Sequence, residues 1–297
     1  MAMAVLALAS GLAPAVADPI AYVTGPLSSG ASGLLQIDLA TGQAREIGVY
    51  APEIGINSLA FGPDGTLYGI GNNLAGGAHL AVIDPATGAA TVLVELMLSD
   101  PSSLFEAMTA DACGRLWAQG LLGMHGGGLR ASIVAIDPAS GEVQEILSNP
   151  FSGGPRGLAA SGETLFTVLY GVLSVFDPAT GDITPIGGGS VPDADLDFAS
   201  DGFLWGLGDP IPLPVPDPWG RTFRVDPQTG EVEIVAENRQ FTYGGAAIGP
   251  PPGACGSGSP LAIPVLSPLG LAVLAILLAA TGITVARRWP PRPPKAG

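Results

Sequence analysis

The chain has 297 residues and a formal net charge of −15, and it contains 44 glycines and 29 prolines. An acidic surface repels phosphate backbones, which excludes nucleic acid as a partner. Because 47% of the residues are hydrophobic, a disordered acidic chain is also excluded. Many turns joining short apolar strands fit this composition, so we expect an all-β domain.

Residues 1–17 are predicted to be a signal peptide. Their apolar run ends in Ala15-Val16-Ala17, directly before Asp18. Small residues at these spacings are what signal peptidase requires at its cleavage site. The usual basic residues before the apolar run are missing, so we expect the true start upstream of Met1. The alternative is that this run forms a buried first strand.

A motif of the form Asp-Pro-x-Thr/Ser-Gly follows an apolar run five times, with leucine replacing proline in the first copy. In such a turn the aspartate accepts hydrogen bonds from the next amides, and the glycine adopts the left-handed conformation. We therefore interpret the five aspartates as turn residues rather than as catalytic or metal-binding groups. The copies begin at Asp38, Asp84, Asp137, Asp177 and Asp226.

A second hairpin alternates with this motif and has an aromatic residue in its second strand. The two hairpins together make four complete four-stranded units between Ser58 and Val235. A fifth unit can be assembled from the last strand, 244–249, and the first three strands, 21–49. Residues 18–249 are therefore predicted to form a five-bladed β-propeller of antiparallel blades, closed by strands from both ends. A β-sandwich and an open solenoid are the alternatives. The blades resemble bacterial propeller repeats of the YVTN/NHL-like class, and this resemblance implies an architecture but no site residue.

Alignment of the innermost strands places four polar residues at the mouth of the central channel, where we expect ligand binding: Asn57, Glu106, Arg156 and Asp195. Oxygen atoms of this kind suit calcium, which is the one candidate ion. The fixed charge of Arg156 opposes a cation, and an ion pair with Glu106 or Asp195 is the alternative. No metal or cofactor is predicted on this basis.

The connections between the second and third strands of each blade vary in length, so their side of the ring is the predicted recognition face. Three loop residues are candidate contacts: His79 and His125 in glycine-rich stretches, and Trp219 at the end of the proline-rich segment 208–220. A rigid connector with Trp219 packed against the body is the alternative. Sequence motifs of known catalytic sites are missing, so no catalytic residue is assigned.

These features favour a binding or structural protein over an enzyme. The alternative is a hydrolase or lyase of the lactonase kind with a divalent ion near Glu106 and Asp195. A purely structural envelope protein is the third reading, because one fold serves many functions.

Cys113 and Cys255 are the two cysteines of the chain. In an oxidising compartment an even cysteine count favours a disulfide, and we predict this bridge. Two free thiols are the alternative.

The C-terminal region is predicted to be a linker, residues 250–262, followed by a membrane-sorting segment, residues 263–297. Residues 269–286 carry no charge, and at about 1.5 Å each they span roughly 27 Å, enough for a bilayer core. Basic residues follow at Arg287 and Arg288. A plain stop-transfer anchor is one interpretation.

The motif before this apolar helix is Ile263, Pro264, Val265, Leu266 and Ser267. With the helix and the basic end, it resembles the IPTL-CTERM sorting signal of bacterial surface proteins, with Val265 where that family has threonine. The resemblance implies a membrane partner and processing by an exosortase-type enzyme. We therefore expect an exported protein of the cell envelope or cell surface with an unknown extracellular ligand.

Overall fold

The structure is a computed structural model that describes residues 19–72, 77–98, 103–124, 128–149, 156–188, 190–209, 220–238, 245–249 and 255. The predicted signal peptide, the sorting motif and the apolar C-terminal segment lie outside these residues. Within the described part of the chain, no helix is both long enough and apolar enough to cross a bilayer.

The described residues form twenty strands in five four-stranded antiparallel sheets, and each sheet is one blade. Strands are numbered along the chain. Blade 1 contains β1 (Ile20–Pro26), β2 (Ser32–Asp38), β3 (Ala44–Val49) and β20 (Ala246–Ala247). Blade 2 contains β4 (Ser58–Phe61), β5 (Leu67–Asn72), β6 (Ala78–Ile83) and β7 (Ala90–Glu95).

The other three blades follow the same order from the channel outward. Blade 3 contains β8 (Leu104–Ala110), β9 (Leu116–Met124), β10 (Gly128–Ile136) and β11 (Val143–Asn149). Blade 4 contains β12 (Arg156–Ser161), β13 (Thr164–Leu169), β14 (Val172–Phe176) and β15 (Ile183–Pro185). Blade 5 contains β16 (Asp193–Phe198), β17 (Leu204–Asp209), β18 (Gly220–Val225) and β19 (Val232–Asn238).

Strands from the two ends of the domain close the ring, as the sequence predicts. β20 is the innermost strand of blade 1, in the order β20-β1-β2-β3. Its pairing with β1 is short, since only Ala246 and Ala247 are paired, with Val23 and Tyr22. The prediction of a five-bladed propeller is therefore confirmed, and the closing strand is shorter than the predicted 244–249.

Five apolar clusters fill the spaces between neighbouring blades, one cluster at each interface. The cluster between blades 5 and 1, for example, joins Trp205 and Leu207 to Val23, Leu35 and Ala246. The other four clusters repeat this arrangement around the ring. The buried apolar surface of each blade is thus completed by its neighbour, which is the reason for closure: an open end would leave one such surface in water.

The repeated aspartate turns have the geometry that their sequence predicts. In the second copy, Asp84 Oδ1 accepts a hydrogen bond from the amide of Ala86 at 2.9 Å, and Gly88 has a φ of 74°. The glycines at the same position of the other copies, Gly42, Gly141, Gly181 and Gly230, have φ between 70° and 78°. These aspartates are occupied by their own turns.

Four of the outermost strands contain a β-bulge at the same level, where one residue is left out of the pairing with the third strand. The residues left out are Ile47, Leu93, Ile146 and Val235, as the register of each pair indicates.

The ring has two different sides. We call one the turn face: it carries the tight turns between the first and second and between the third and fourth strands of each blade. We call the other the connector face: it carries the connections between the second and third strands and those from one blade to the next.

Candidate functional site

The polar residues aligned at the start of the innermost strands converge where the channel reaches the connector face. The hydroxyl of Ser58 in β4 donates to Asp195 Oδ2 in β16 at 3.2 Å, across the ring. The side-chain amide of Asn57 donates to Asn72 Oδ1 at 3.0 Å and to the carbonyl of Phe105 at 3.3 Å. Asn57 therefore links the connector ends of blades 2 and 3, directly beside Glu106.

Glu106 and Arg156 occupy different levels of their strands, which corrects the sequence alignment. Glu106 is exposed and is the extra residue of a β-bulge between Phe105 and Ala107. In β12 the bulge residue is Gly157, and Arg156 pairs with Val168. A bulge residue shifts the register of all residues that precede it in the strand by one position. Because the bulges of β8 and β12 lie at different positions, Glu106 and Arg156 are not aligned. Of Arg156 only the backbone is described.

Asp195 and Asp197 project from β16 towards the closing strand and hold it in place. Asp195 Oδ2 accepts the backbone amide of Ala246 at 3.1 Å, and Asp197 Oδ2 accepts that of Ile248 at 2.7 Å. The amide of Ala247, between these two, faces β1. β20 is therefore hydrogen-bonded along both of its edges. The two carboxyls replace the neighbouring strand that the innermost position of a blade lacks.

The same two carboxyls hold their protons unusually tightly. Burial raises the pKa of Asp195 from 3.8 to about 7, and its hydrogen bonds with Ser58 and Ala246 oppose that rise. The nearby negative charges of Asp197 and Glu106 raise it further. Burial also raises the pKa of Asp197 to about 7, against the effect of its hydrogen bonds from Ile248 and Phe198. Asp195 and Asp197 therefore titrate near neutral pH.

The backbone of the closing strand lies in direct contact with blade 2. The amide of Gly245 donates to the carbonyl of Asn57 at 2.7 Å, and the amide of Thr24 donates to the carbonyl of Gly245 at 3.1 Å. A Cβ atom at Gly245 would lie 2.0 Å from Ser58 Cα. Only glycine allows this approach.

Of the three residues predicted to make loop contacts, the structure describes His79. His79 lies inside β6, paired with Gly71 and Glu95, and is 1% exposed, so its assignment to a flexible loop is wrong. Burial lowers its pKa, although the charge of Glu95 opposes the change. His125 and Trp219 lie outside the described residues.

Tyr170 is a strained and exposed aromatic residue on the connector face. It occupies the tight turn between β13 and β14, with a φ of 53°, and its side chain is 65% exposed. Within the described residues no other non-glycine residue has a positive φ. Asparagine or glycine fits such a turn without strain, whereas a bulky aromatic side chain does not. The local fold therefore gives no reason for tyrosine at this position.

On the turn face a disulfide joins Cys113 to Cys255, with Cα atoms 4.7 Å apart. Cys113 lies in the turn between β8 and β9, and Glu163 Oε1 is 3.5 Å from its Sγ atom. Among the described residues, these three form the one group of three or more histidine, cysteine or acidic side chains with ligand atoms within 4.8 Å of one another. Because the two thiols are bonded to each other, the group offers no ligand set for a metal ion. Within the same described residues, Glu106 and Asp195 at the channel mouth belong to no such group.

The most informative residue that sequence reasoning missed is Asp197. Its signal was present, since Asp193, Asp195 and Asp197 alternate along the innermost strand of blade 5. Acidic residues with a period of two in a buried strand indicate a shared task on one face. Tyr170 gave no comparable signal, because the sequence does not reveal its backbone conformation.

No protein-family model matches the sequence, and no curated protein gives a significant match. Solved structures do match it in fold. TolB from Acinetobacter baumannii has a TM-score of 0.47 and 17% sequence identity, covering 73% of this chain and 52% of its own. The chain thus spans about half the length of TolB. A gluconolactonase from Xanthomonas campestris has a TM-score of 0.45 and 15% identity, covering 76% of this chain and 84% of its own. These similarities concern the propeller fold alone.

Proposed function

We propose that this chain is an exported, surface-anchored β-propeller that binds a ligand or protein partner through its connector face and performs no catalysis. The observation that carries this proposal is Tyr170, a strained, exposed aromatic residue at the tip of a connector-face turn. Strain that the fold does not require is commonly retained for function, and exposed tyrosine is a frequent contact residue in interfaces. Leu104, 44% exposed at the start of β8, lies on the same face.

The channel aspartates support a binding role over a metal-dependent one. Asp195 and Asp197 already accept hydrogen bonds from Ala246 and Ile248. A metal ion on either carboxyl would compete with the amides that close the ring. Their raised pKa values also make a fixed pair of carboxylates unfavourable at neutral pH.

The binding function is tested with the full-length protein in detergent on peptide and glycan arrays. The Tyr170→Asn variant relieves the strained turn, so we expect it to keep or increase stability while the array signals fall at least about tenfold. The control is Thr66→Ala, on the turn face, which should leave the signals unchanged. Signals that survive in Tyr170→Asn, or that both variants lose equally, would contradict binding through this turn.

Surface anchoring is proposed from the sorting segment, residues 263–297, and is tested separately. A chain ending at Ala262 should appear in the medium, while the full chain fractionates with the envelope. A Pro264→Ala variant should keep membrane association but change the mass of the mature protein if the motif directs processing. Release of both full-length and shortened chains would refute the anchor.

The metal-dependent hydrolase or lyase stays as a second candidate because of one observation: Glu106 and Asp195 are close enough for the charge of Glu106 to raise the pKa of Asp195. Calcium would be the expected ion, with Asn57 as a further oxygen donor. This candidate predicts that added calcium raises the melting temperature, that chelator reverses the rise, and that Glu106→Gln abolishes it. Indifference to calcium and to Glu106→Gln would remove it.

A further inference from the structure

The ring is held shut by a weak non-covalent seam. β20 contributes two paired residues to blade 1, whereas the strand pairs in the middle of each blade have five to nine. Single hydrogen bonds also join Gly245, Ala246 and Ile248 to residues of blades 1, 2 and 5, and the two alanines of β20 pack into the apolar clusters on either side of blade 1. A two-residue strand at a sheet edge is expected to detach far more often than the blades unfold.

The chain beyond this seam is attached to a different part of the ring. Cys255 follows Gly249 by six positions and is bonded to Cys113 in blade 3, and not to blade 1, where β20 itself pairs. Blade 2 lies between these two blades. The disulfide therefore holds the end of the closing segment to a non-neighbouring blade.

The attachment point itself is rigid. The amide of Cys113 donates to Asp111 Oδ1 at 2.9 Å, and the same carboxyl accepts the indole N–H of Trp117 at 2.9 Å. The residue before Cys113 is also fixed, because the amide of Ala112 donates to the carbonyl of Gly162 in blade 4 at 2.9 Å. A bond to Cys113 is thus a bond to the body of the propeller.

We propose that the Cys113–Cys255 disulfide is a reversible lock on ring closure, so that its reduction frees β20 from the edge of β1. With the bond intact, a detached β20 is tethered at both ends, by β19 on one side and Cys255 on the other. The second tether restricts the positions that the detached strand can reach, so its return costs less conformational entropy. With the bond broken only one tether is left, and the opened state gains the conformational freedom that the cross-link had removed.

The chemistry is a two-electron thiol–disulfide exchange with a dithiol as reductant. One thiolate of the dithiol attacks a sulfur of the bridge and forms a mixed disulfide, and one cysteine leaves as a thiolate. The second thiol of the dithiol then displaces the other cysteine. The products are two protonated cysteines and the cyclic disulfide of the reductant.

Hydrogen–deuterium exchange of the full-length protein in detergent tests the lock, with dithiothreitol as the reductant. Alkylation and mass spectrometry verify that Cys113 and Cys255 are both reduced. We expect exchange at residues 22–24 and 246–248 to accelerate about tenfold or more on reduction. Amides of the central strands β9 and β10 should exchange at an unchanged rate.

A Cys113→Ser/Cys255→Ser double variant is the second measurement. It should show the accelerated exchange at both segments without reductant and should not respond to dithiothreitol. Unchanged exchange at 246–248 in fully reduced wild-type protein would overturn the proposal. A uniform acceleration in all five blades would overturn it as well, because the bond would then support the whole fold and not the seam.

Discussion

Asp197 accepts hydrogen bonds from two backbone amides: that of Phe198 in its own strand at 2.8 Å and that of Ile248 in the closing segment at 2.7 Å. It is 8% exposed. Such a side chain stabilises the fold mainly because, without it, two buried amides would have no hydrogen-bond acceptor, which costs free energy.

We therefore predict that Asp197→Ala lowers the free energy of unfolding by about 1–3 kcal/mol, because the amide of Ile248 loses its acceptor. Urea denaturation at pH 5, where the folded carboxyl still holds its proton and the variant removes no buried charge, measures the change. The control is Asp84→Ala, which removes an exposed aspartate that bonds only within its own turn. Equal losses in the two variants would mean that Asp197 has no special part in closure.

Glu163 places a carboxylate 3.5 Å from Cys113 Sγ. A negative charge there repels an attacking thiolate and disfavours Cys113 as the leaving thiolate. We predict that Glu163→Gln shortens the half-time of reduction by dithiothreitol about threefold to tenfold. Timed alkylation followed by mass spectrometry measures it, with the exposed Glu231→Gln as control. The idea fails if both variants are reduced at the wild-type rate.

At the scale of elements, β20 depends on one glycine. A Cβ at Gly245 would lie 2.0 Å from Ser58 Cα, while one at Gly249 meets no described atom within 4 Å. The two glycines lie at opposite ends of the same short segment, and thus form a matched pair. A Cβ atom at Gly245 can be accommodated only if the backbone moves locally.

We expect Gly245→Ala to lower the unfolding free energy by about 1–3 kcal/mol and to speed exchange at residues 246–248, because overpacking pushes β20 from the ring. Gly249→Ala should change neither. Thermal unfolding and hydrogen exchange check both variants. Similar behaviour of the two alanine variants would show that close approach at Gly245 is not what positions the strand.

The repeated elements could be predicted from the sequence, whereas their fine register could not. The aspartate turns have a fixed residue chemistry, and five copies imply blades and a closing strand. Bulges have no such signal. The extra residues Glu106 and Gly157 shift the innermost strands of blades 3 and 4 differently, and a count from the turns misaligns Arg156 as a result.

The candidate site was predictable to a similar degree. Asn57, Glu106 and Asp195 lie near the same channel end because their strands start there, and their role in ligand binding stays a prediction. The hydrogen bond from Ala246 to Asp195 forms because one edge of β20 faces the channel. Which edge this is follows from the pairing of strands in three dimensions and cannot be deduced from the sequence. His79 was misplaced because glycines before a strand look like part of a loop.

At the scale of the whole molecule, acid groups of two kinds set the dependence of stability on pH. Burial raises the pKa of Asp195 and Asp197 from 3.8 to about 7. Between these values the unfolded chain has released two protons that the folded protein still holds. Stability is therefore greatest at the acidic end of this window, falls as the pH rises from about 4 to about 7, and then levels off.

Below this window other aspartates act in the opposite direction. Hydrogen bonds from their own turns lower the pKa values of Asp64, Asp84 and Asp137, so stability also falls as the pH drops below about 4. We predict a maximum of the melting temperature near pH 4. Calorimetry from pH 3 to 9 measures it, and an Asp195→Asn/Asp197→Asn double variant should be flat between about pH 4 and 7. A wild-type melting temperature that rises through this interval would contradict the assignment.

The bulges of the outermost strands bear on how copies of the molecule behave beside each other. A regular edge strand offers an unbroken row of amides and carbonyls that a neighbouring molecule can extend, which is the usual first step of aggregation. In β3, β7, β11 and β19 that row is interrupted at one level. Copies of this propeller crowded side by side would therefore meet, at four of their five rims, a broken row of pairing groups that resists extension into a common sheet.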